Sequence, residues 1–346
     1  MGVCGGPGRD RRESLDAGRA SRGGWLARRA VTGPLVAGVD GGGTRTRVLL
    51  LARDGATASR AEGPAALVRP DRPAPAARVV ADTVRRATEA AGVALPLPAV
   101  WAGLAGAGRP RVRRALEAAL RDERIARAVR VGTDVEAAFH DAFGAGPGIV
   151  VVAGTGSVVL GAAEDGRRLQ VGGWGGVMGD EGSGYHIGVS ALRAIAAATD
   201  RRAPPTALTT AVLDSLGLDR PRELAAWAES ATKADIAALA PLVIRAARSG
   251  DGPANAVIRR ALDALGDQLS AAIRELFPPG NQPPVALTGG LIAPNGPLRA
   301  DFERLVSSTG GHLLPRAVIP ERGAARLALT LLSRPLSRSS GSDEVR

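Results

Sequence analysis

The sequence predicts an α/β protein with two related halves, each a mixed β-sheet with helices, around a central cleft. A β-rich apolar run, a glycine-rich turn ending in Thr or Ser, and a second apolar run occur at 35–55 and again at 149–166. An Asp-Gly pair, a strong hairpin signal, closes each copy. Strand and helix signals alternate after each copy, and 346 residues suffice for two domains of ordinary size.

Each copy reads as a three-stranded meander, with its third strand at 56–61 or 167–171. The elements predicted after the first meander are a helix at 76–91, a strand at 99–103, a helix at 109–121, a strand at 128–132 and a helix at 135–143. Those predicted after the second are a helix at 181–199, a wholly helical region at about 205–277 broken at Pro221 and Gly250, a strand at 284–288, and helices at 295–308 and 322–332. We therefore expect domains at 35–145 and 146–333.

Both termini are predicted to lie outside these domains. Residues 1–34 carry seven arginines against three acidic residues and are rich in glycine, which indicates a disordered basic leader; a polyanion-binding arm is the alternative. Residues 334–346 are expected to be a disordered tail. The chain has no long apolar run and no secretory signal pattern, so we expect no membrane association and a cytoplasmic location.

The charged residues and the cysteine count exclude several classes of protein. The net charge is +11, and Lys233, in a polar helical stretch, is the only lysine among 45 basic residues. No Gly-Lys-Ser/Thr triplet exists, which excludes a Walker A loop. The lone Cys4 excludes a cysteine-ligated metal or iron–sulfur site within one chain. The arginines form no basic stripe interleaved with aromatic residues, so no nucleic-acid partner is expected.

The two glycine-rich turns can bind phosphate without lysine. Converging backbone N–H groups cradle an anion, and the hydroxyl groups of the turns can add donors. The residues concerned are Gly41, Gly42, Gly43 and Thr44 in the first turn, and Gly154, Thr155, Gly156 and Ser157 in the second. Asp40 precedes the first turn and would repel phosphate unless a cation lay between them, which makes it a candidate to hold Mg²⁺, through water. Tight hairpins without a ligand are the alternative, disfavoured because two matched turns open two matched halves.

A third glycine pair, Gly289 and Gly290, lies between a predicted strand and a predicted helix. In their order and spacing, the segments 40–44, 154–157 and 288–290 resemble the two phosphate loops and the adenosine loop of the actin, sugar kinase and Hsp70 superfamily. Within it, the segment 172–188, GGWGGVMGDEGSGYHIG, resembles the N-acetylglucosamine kinase group of the BadF/BadG/BcrA/BcrD ATPase family. The resemblance covers about residues 35–333 and implies two ribonuclease H-like (actin-like ATPase) domains around a nucleotide and sugar cleft.

Asp134 follows the strand predicted at 128–132 and precedes a helix. Its position alone leaves two interpretations equally open, a helix N-cap and a general base facing the cleft. The resemblance favours the base: the aspartate of the family's Thr-Asp pair contacts the sugar 6-hydroxyl, and Thr133-Asp134 matches that pair. The resemblance thus implies an ATP-dependent kinase that phosphorylates an amino sugar, most simply N-acetylglucosamine or glucosamine, at the 6-hydroxyl.

The same resemblance assigns further residues. Those implied on the sugar side are Ser157, Gly173, Trp174, Gly175 and Asp180; those implied on the nucleotide side are Thr44, Thr155, Gly290 and, through a looser alignment of helices, Ala237. Asp180 as a helix N-cap and Trp174 as a core residue are the structural alternatives. ATP and Mg²⁺ are the implied cofactors, and a sugar is the implied small-molecule partner. Because family members often dimerise, the resemblance also allows a homodimer, without indicating the face involved.

One departure concerns the acceptor. The family usually carries an asparagine after the third strand to bind sugar hydroxyls, whereas the matching stretch here is 62–66, with Ala65 and Ala66 and no amide. Val158 occupies a position that is often polar in relatives. A lost buried hydrogen bond costs about 1–3 kcal/mol of discrimination. A sugar-sensing protein with weak turnover therefore remains an alternative, and a partner-activating ATPase is a less favoured one because it needs cysteine thiolates.

Overall fold

The computed structural model describes residues 33–333, in which two five-stranded sheets each begin with an antiparallel meander. The first meander comprises β1 (Leu35–Gly41), β2 (Arg45–Ala52) and β3 (Thr57–Pro64), followed by β4 (Leu97–Leu104) and β5 (Ala126–Gly132). The second comprises β6 (Gly148–Ala153), β7 (Ser157–Ala162) and β8 (Arg168–Gly172), followed by β9 (Pro284–Thr288) and β10 (His312–Leu313). The strand orders are β3-β2-β1-β4-β5 and β10-β9-β6-β7-β8, which confirms the predicted two-sheet α/β fold. The predicted leader and tail fall outside the described residues, except Gly33 and Pro34.

In both sheets the first strand of the meander also pairs in parallel with a later strand of the chain. β1 pairs in parallel with β4, and β4 with β5, so that Asp40 lies beside Gly103 and Gly103 beside Gly132. In the second sheet β6 pairs in parallel with β9, which places Val152 beside Thr288. Parallel strands end at a common edge, and in open α/β sheets that edge is where ligands bind. Both glycine-rich turns, Asp134, and the pair Gly289 and Gly290 follow these strand ends.

Helices cover the sheets. They are α1 (Pro73–Ala91), α2 (Pro110–Asp122), α3 (Asp134–Phe143), α4 (Gly184–Thr199), α5 (Leu208–Leu216), α6 (Glu223–Ser230), α7 (Lys233–Ala237), α8 (Ala240–Arg248), α9 (Gly252–Leu276), α10 (Arg299–Ser308) and α11 (Pro320–Leu332). Helices α5–α9 occupy the predicted helical region, and the predicted breaks at Pro221 and Gly250 fall between helices. Two further gaps, at 231–232 and 238–239, were not predicted. α4 begins later than predicted because Ser183, not Asp180, caps it.

The closing helix α11 lies against the first sheet, although its residues fall within the predicted second domain, 146–333. It packs on β1, β4 and α3, and Ala324, Ala325 and Ala328 join Val36 and Trp101 in one buried cluster. Gly38 makes this close approach feasible, since a Cβ at that position would lie 2.0 Å from the Ala325 nitrogen. The predicted domain boundary at 145/146 stays a prediction.

Candidate functional site

The two glycine-rich turns face each other across the cleft between the sheets. The hydroxyl oxygens of Thr44 and Thr155 are 3.5 Å apart, and a Cβ built on Gly43 would lie 3.6 Å from the Thr155 methyl group. The Gly42 N–H donates to the Arg45 carbonyl (3.0 Å) and closes the first turn. Two turns from separate halves of the sequence thus line a single site.

Several backbone N–H groups of these turns are free to bind an anion. Within residues 33–333, the N–H groups of Gly43, Thr44, Thr155 and Gly156 have no hydrogen-bond acceptor. At the second turn, the carbonyl of Gly154 accepts from Gly184 N–H (2.8 Å), which belongs to the first turn of α4. Uncommitted N–H groups beside a helix N-terminus form a favourable environment for phosphate.

The third glycine pair lies beside the second turn. Gly289 has a φ of 93°, and a Cβ there would lie 2.4 Å from the Ala153 carbonyl oxygen, so only glycine fits. A Cβ on Gly154 would lie 3.5 Å from the Gly290 nitrogen, and one on Gly184 would lie 3.4 Å from the Ala237 Cβ. The residues predicted to border adenine therefore gather around the second turn.

Asp134 is the first residue of α3, and its carboxylate does not cap the helix. Thr133 is the N-cap: its hydroxyl accepts from Glu136 N–H (3.2 Å), while the Glu136 carboxylate accepts from Thr133 N–H (2.7 Å). The N-cap alternative for Asp134 is therefore wrong. Burial raises the pKa of the Asp134 carboxyl, and Glu136 adds to that effect, while nearby backbone N–H groups and Lys233 oppose it. A carboxylate with a raised pKa is a better proton acceptor than an exposed one.

Asp40, at the end of β1, is partly buried, and its carboxyl interacts with the charge of Asp134. Burial first, then the charges of Asp134 and Glu321, raises the pKa of Asp40 to about 7, against the opposing charges of Arg45 and Arg47. No group of three His, Cys, Asp or Glu side chains within residues 33–333 could enclose a metal ion. The residues present fit Mg²⁺ of the kind held by one carboxylate, water and substrate phosphates, because such ions need no protein cage.

Asp180 is tied to the second turn. It adopts a φ of 59°, an uncommon conformation that is enriched at functional sites. Its Oδ1 accepts from Ser157 N–H (3.2 Å), and the Ser157 hydroxyl donates to the Glu181 carbonyl (2.7 Å). The N-cap alternative for Asp180 is wrong, since Ser183 performs that role. The predicted sugar contacts of Asp180 and Ser157 stay predictions.

The glycine-flanked Trp174 lies at the surface, with 72% of its area exposed. The alternative that it belongs to the core is therefore wrong. Gly173 and Gly175 have φ values of 72° and 84°, so this loop depends on glycine for its course. A Cβ on Gly173 would lie 3.0 Å from the Val158 side chain, which places the loop beside the strand that leaves the second turn.

The position of the family's asparagine is apolar in three dimensions as well. Ala66 is 1% exposed, and its Cβ lies 3.4 Å from where a Cβ on Gly41 would be. Glu62, the one polar side chain of the stretch 62–66, accepts a hydrogen bond from Arg47 (3.1 Å).

Similarity to known proteins identifies the family of this chain. The model of the BadF/BadG/BcrA/BcrD ATPase family matches residues 37–328. The chain belongs to this family. The match spans both sheets, both glycine-rich turns and α11 up to its last turn, and it confirms the resemblance drawn from the sequence motifs.

Individual relatives of this BadF/BadG/BcrA/BcrD ATPase family member are amino-sugar kinases by name. The N-acetylmuramic acid/N-acetylglucosamine kinase of Clostridium acetobutylicum is 28% identical over 275 residues, 79% of this chain and 90% of that protein. The N-acetyl-D-glucosamine kinase of Dictyostelium discoideum is 34% identical over 188 residues, 53% of this chain and 59% of that protein. A Chromobacterium violaceum protein provisionally named an N-acetylglucosamine kinase has a crystal structure with 32% identity and a TM-score of 0.69, covering 85% of this chain and 99% of that one.

Two residues of this family member's site were not assigned from sequence. Glu321, buried at the start of α11, has an Oε2 atom with no hydrogen-bond partner within residues 33–333 and raises the pKa of Asp40. Lys233, which the sequence predicts to lie in a polar helical stretch without a role in the site, forms an ion pair with Asp180. The one feature of the sequence that could have indicated a role for Lys233 is that it is the only lysine of the chain.

No helix of the described part of the chain is long and apolar enough to cross a membrane.

Proposed function

We propose that the protein is an ATP-dependent amino-sugar kinase that phosphorylates N-acetylglucosamine or glucosamine at the 6-hydroxyl. The observation that carries the proposal is the position of Asp134, a carboxylate with a raised pKa at the strand edge beside two facing glycine-rich turns. The names of the relatives agree with this activity. Phosphoryl transfer needs an oriented acceptor, charge stabilisation on the phosphates and a proton acceptor.

In the proposed reaction, Asp134 takes the proton of the sugar hydroxyl while that oxygen forms a bond to the γ-phosphorus of ATP. The bond from phosphorus to the bridging oxygen of ADP breaks, which gives a sugar 6-phosphate and ADP. The free N–H groups of both turns hold the phosphates, and Gly289, Gly290 and Ala237 border the adenine. Asp40 would hold Mg²⁺, which neutralises phosphate charge when bound.

On the acceptor side, Asp180 and the loop of Gly173, Trp174 and Gly175 contact the sugar in this proposal. Domain closure over the substrates would cover the exposed Trp174, because kinases of this architecture exclude water before transfer. Asp180 is already oriented by the N–H of Ser157, so less conformational entropy is lost when a sugar hydroxyl binds it.

A second candidate is a sugar-binding protein of the same fold with weak turnover. The stretch 62–66, where the resemblance implies an asparagine, has no amide and ends in the buried Ala66. This favours the second candidate, since losing that contact weakens substrate discrimination. The phosphate turns and Asp134 are retained, and for that reason we place the kinase first.

The deciding experiment is a coupled ADP-release assay with Mg²⁺-ATP and glucosamine, N-acetylglucosamine, N-acetylmuramic acid, N-acetylmannosamine or glucose. We expect turnover with at least one amino sugar and little with glucose, and ³¹P–¹H NMR of the product should place the phosphate on the 6-oxygen. If no sugar is turned over while one binds, the second candidate replaces the first.

A further inference from the structure

Lys233, the only lysine of the chain, is brought into the site by a short helix. α7 begins at Lys233 and is fixed by a reciprocal cap, in which the Thr232 hydroxyl accepts from Asp235 N–H (3.2 Å) and the Asp235 carboxylate accepts from Thr232 N–H (2.8 Å). α7 packs on α4, whose first turn holds the Gly154 carbonyl. These contacts thus hold the backbone of Lys233 in a defined position relative to the second glycine-rich turn.

The Lys233 ammonium group lies between Asp180 and that turn. It pairs with Asp180 Oδ2 and lies 3.3 Å from where a Cβ on Gly156 would be. It is also 5.7 Å from the centre of the Tyr185 ring, within the range of a cation–π contact. No other cation of the described residues is within salt-bridge distance of Asp180.

The two members of the ion pair differ in exposure. The Asp180 side chain is 5% exposed, and the Lys233 side chain is 43% exposed. An ammonium group has three donors, and Asp180 uses one of them. The ammonium group lies close to Gly156, whose free N–H group is one of the candidate phosphate ligands, so its remaining donors are within reach of a phosphate bound there.

We propose that Lys233 binds a phosphate group of ATP at the turn of Gly154, Thr155 and Gly156, while still paired with Asp180. The inference rests on the proposed function and adds a side-chain cation to a site that the sequence indicated to be free of lysine. The cleft carries the carboxylates of Asp40, Asp134 and Asp180, and a cation beside them favours the binding of a polyanionic nucleotide. The bridge from Asp180 to phosphate would also link the sugar side of the site to the nucleotide side.

The test compares Lys233→Met, which removes the charge, with Lys233→Arg, which retains it. Arg220→Met is the matched control, because Arg220 is a highly exposed cation paired with Glu223 beside α6. Isothermal calorimetry would measure the binding of Mg²⁺-ADP and of a non-hydrolysable ATP analogue. We expect Lys233→Met to weaken the analogue at least tenfold, Lys233→Arg to restore most of that loss, and Arg220→Met to leave binding within twofold of wild type.

Which of the two nucleotides binds more weakly to Lys233→Met identifies the phosphate group that Lys233 contacts. Weakening of the analogue alone indicates contact with the γ-phosphate, and weakening of both nucleotides indicates contact nearer the adenosine. Unchanged binding of both nucleotides, with a raised KM for the sugar alone, overturns the proposal and makes Lys233 a positioning residue for Asp180.

A second measurement uses the wild-type chain and does not depend on a variant that folds. Reductive methylation with ¹³C-formaldehyde labels only Lys233 and the terminal amine, so two dimethylamine signals report on the whole protein. We expect the Lys233 signal to shift on saturation with the ATP analogue. Nucleotide binding without that shift overturns the inference alone, whereas failure of the wild type to bind nucleotide overturns the proposed function and the inference together.

Discussion

The two ends of α3 hold carboxylates in opposite environments. Asp134 and Asp141 are seven residues apart, close to two helical turns, and so lie on the same face. Asp141 is fully buried and accepts from Arg322 through both carboxylate oxygens (2.6 and 2.8 Å), with Arg316 and Arg326 also within salt-bridge distance. Asp134 has no salt bridge within residues 33–333, and burial raises its pKa.

The difference separates a structural carboxylate from a chemical one. The three arginines that surround Asp141 come from the C-terminal segment, and the Ile319 N–H also donates to it (2.8 Å). Asp141 thereby fixes α11 and the segment before it to α3 and the first sheet. A buried carboxylate that is hydrogen-bonded to several arginines holds chain segments together, whereas one without a cation partner at a cleft is suited to accept a proton. One helix serves both purposes because its two ends are solvated and charged differently.

Replacing the uncompensated carboxylate is expected to have the largest effect. Asp134→Asn should lower kcat for sugar phosphorylation about 10²–10⁴-fold, because the proton acceptor is lost. Its thermal midpoint should not fall, since a raised pKa means that the ionised form is disfavoured in the folded state. Nucleotide binding, measured by calorimetry, should persist.

The control for that variant is Asp122→Asn, which removes an exposed acid at the end of α2. It should leave kcat unchanged. Turnover by Asp134→Asn within a few-fold of wild type would refute the assignment of the base.

Replacing Asp141 should lower the free energy of unfolding and leave the rate of phosphoryl transfer unchanged. Asp141→Asn leaves three arginines around an amide, and we expect the free energy of unfolding to fall by about 3 kcal/mol, at the lower end for broken buried pairs because the arginines keep contact with water. Arg326→Met should cost less, as its contact is longer (3.4 Å) and its side chain is 46% exposed. Guanidinium titrations would measure both. Equal stability of Asp141→Asn and wild type would show that the cluster does not hold α11.

The smallest expected effect is on the pH dependence of the free energy of unfolding. It arises from Asp40, which interacts with Asp134 at the start of α3. Because the pKa of Asp40 is raised to about 7, the folded state binds more protons than the unfolded state between about pH 4 and 7, and the free energy of unfolding falls as pH rises through that window. Asp40→Asn should reduce the loss of stability between pH 5 and pH 8 by about 1 kcal/mol, since Asp40 retains some contact with water.

Denaturation of the nucleotide-free protein at both pH values would measure this change. An identical pH dependence in Asp40→Asn and wild type would contradict the raised pKa. In wild type, kcat/KM should rise with pH through about 7 as Asp40 ionises.

Much of this fold follows from local sequence signals. Hydrophobic periodicity and Asp-Gly turns located both meanders, the strand Pro284–Thr288 was predicted at its observed bounds, and the helical region 205–277 broke where Pro221 and Gly250 indicated. The start of α4 was misplaced because Asp180 and Ser183 are both good caps, and only the backbone conformation distinguishes them. β10 was not predicted, since two residues carry no detectable period.

The sequence by itself determined the repeated strand–turn–strand units, the glycines that let backbone N–H groups face an anion, and the family to which these motifs belong. The tertiary structure decided which charges meet. Lys233 and Asp180 are separated by 53 residues, and Asp141 and Arg322 by 181, so no local pattern could pair them. A carboxylate becomes a base or a structural anchor according to the solvent and cations around it, and packing fixes those surroundings only after distant segments come together.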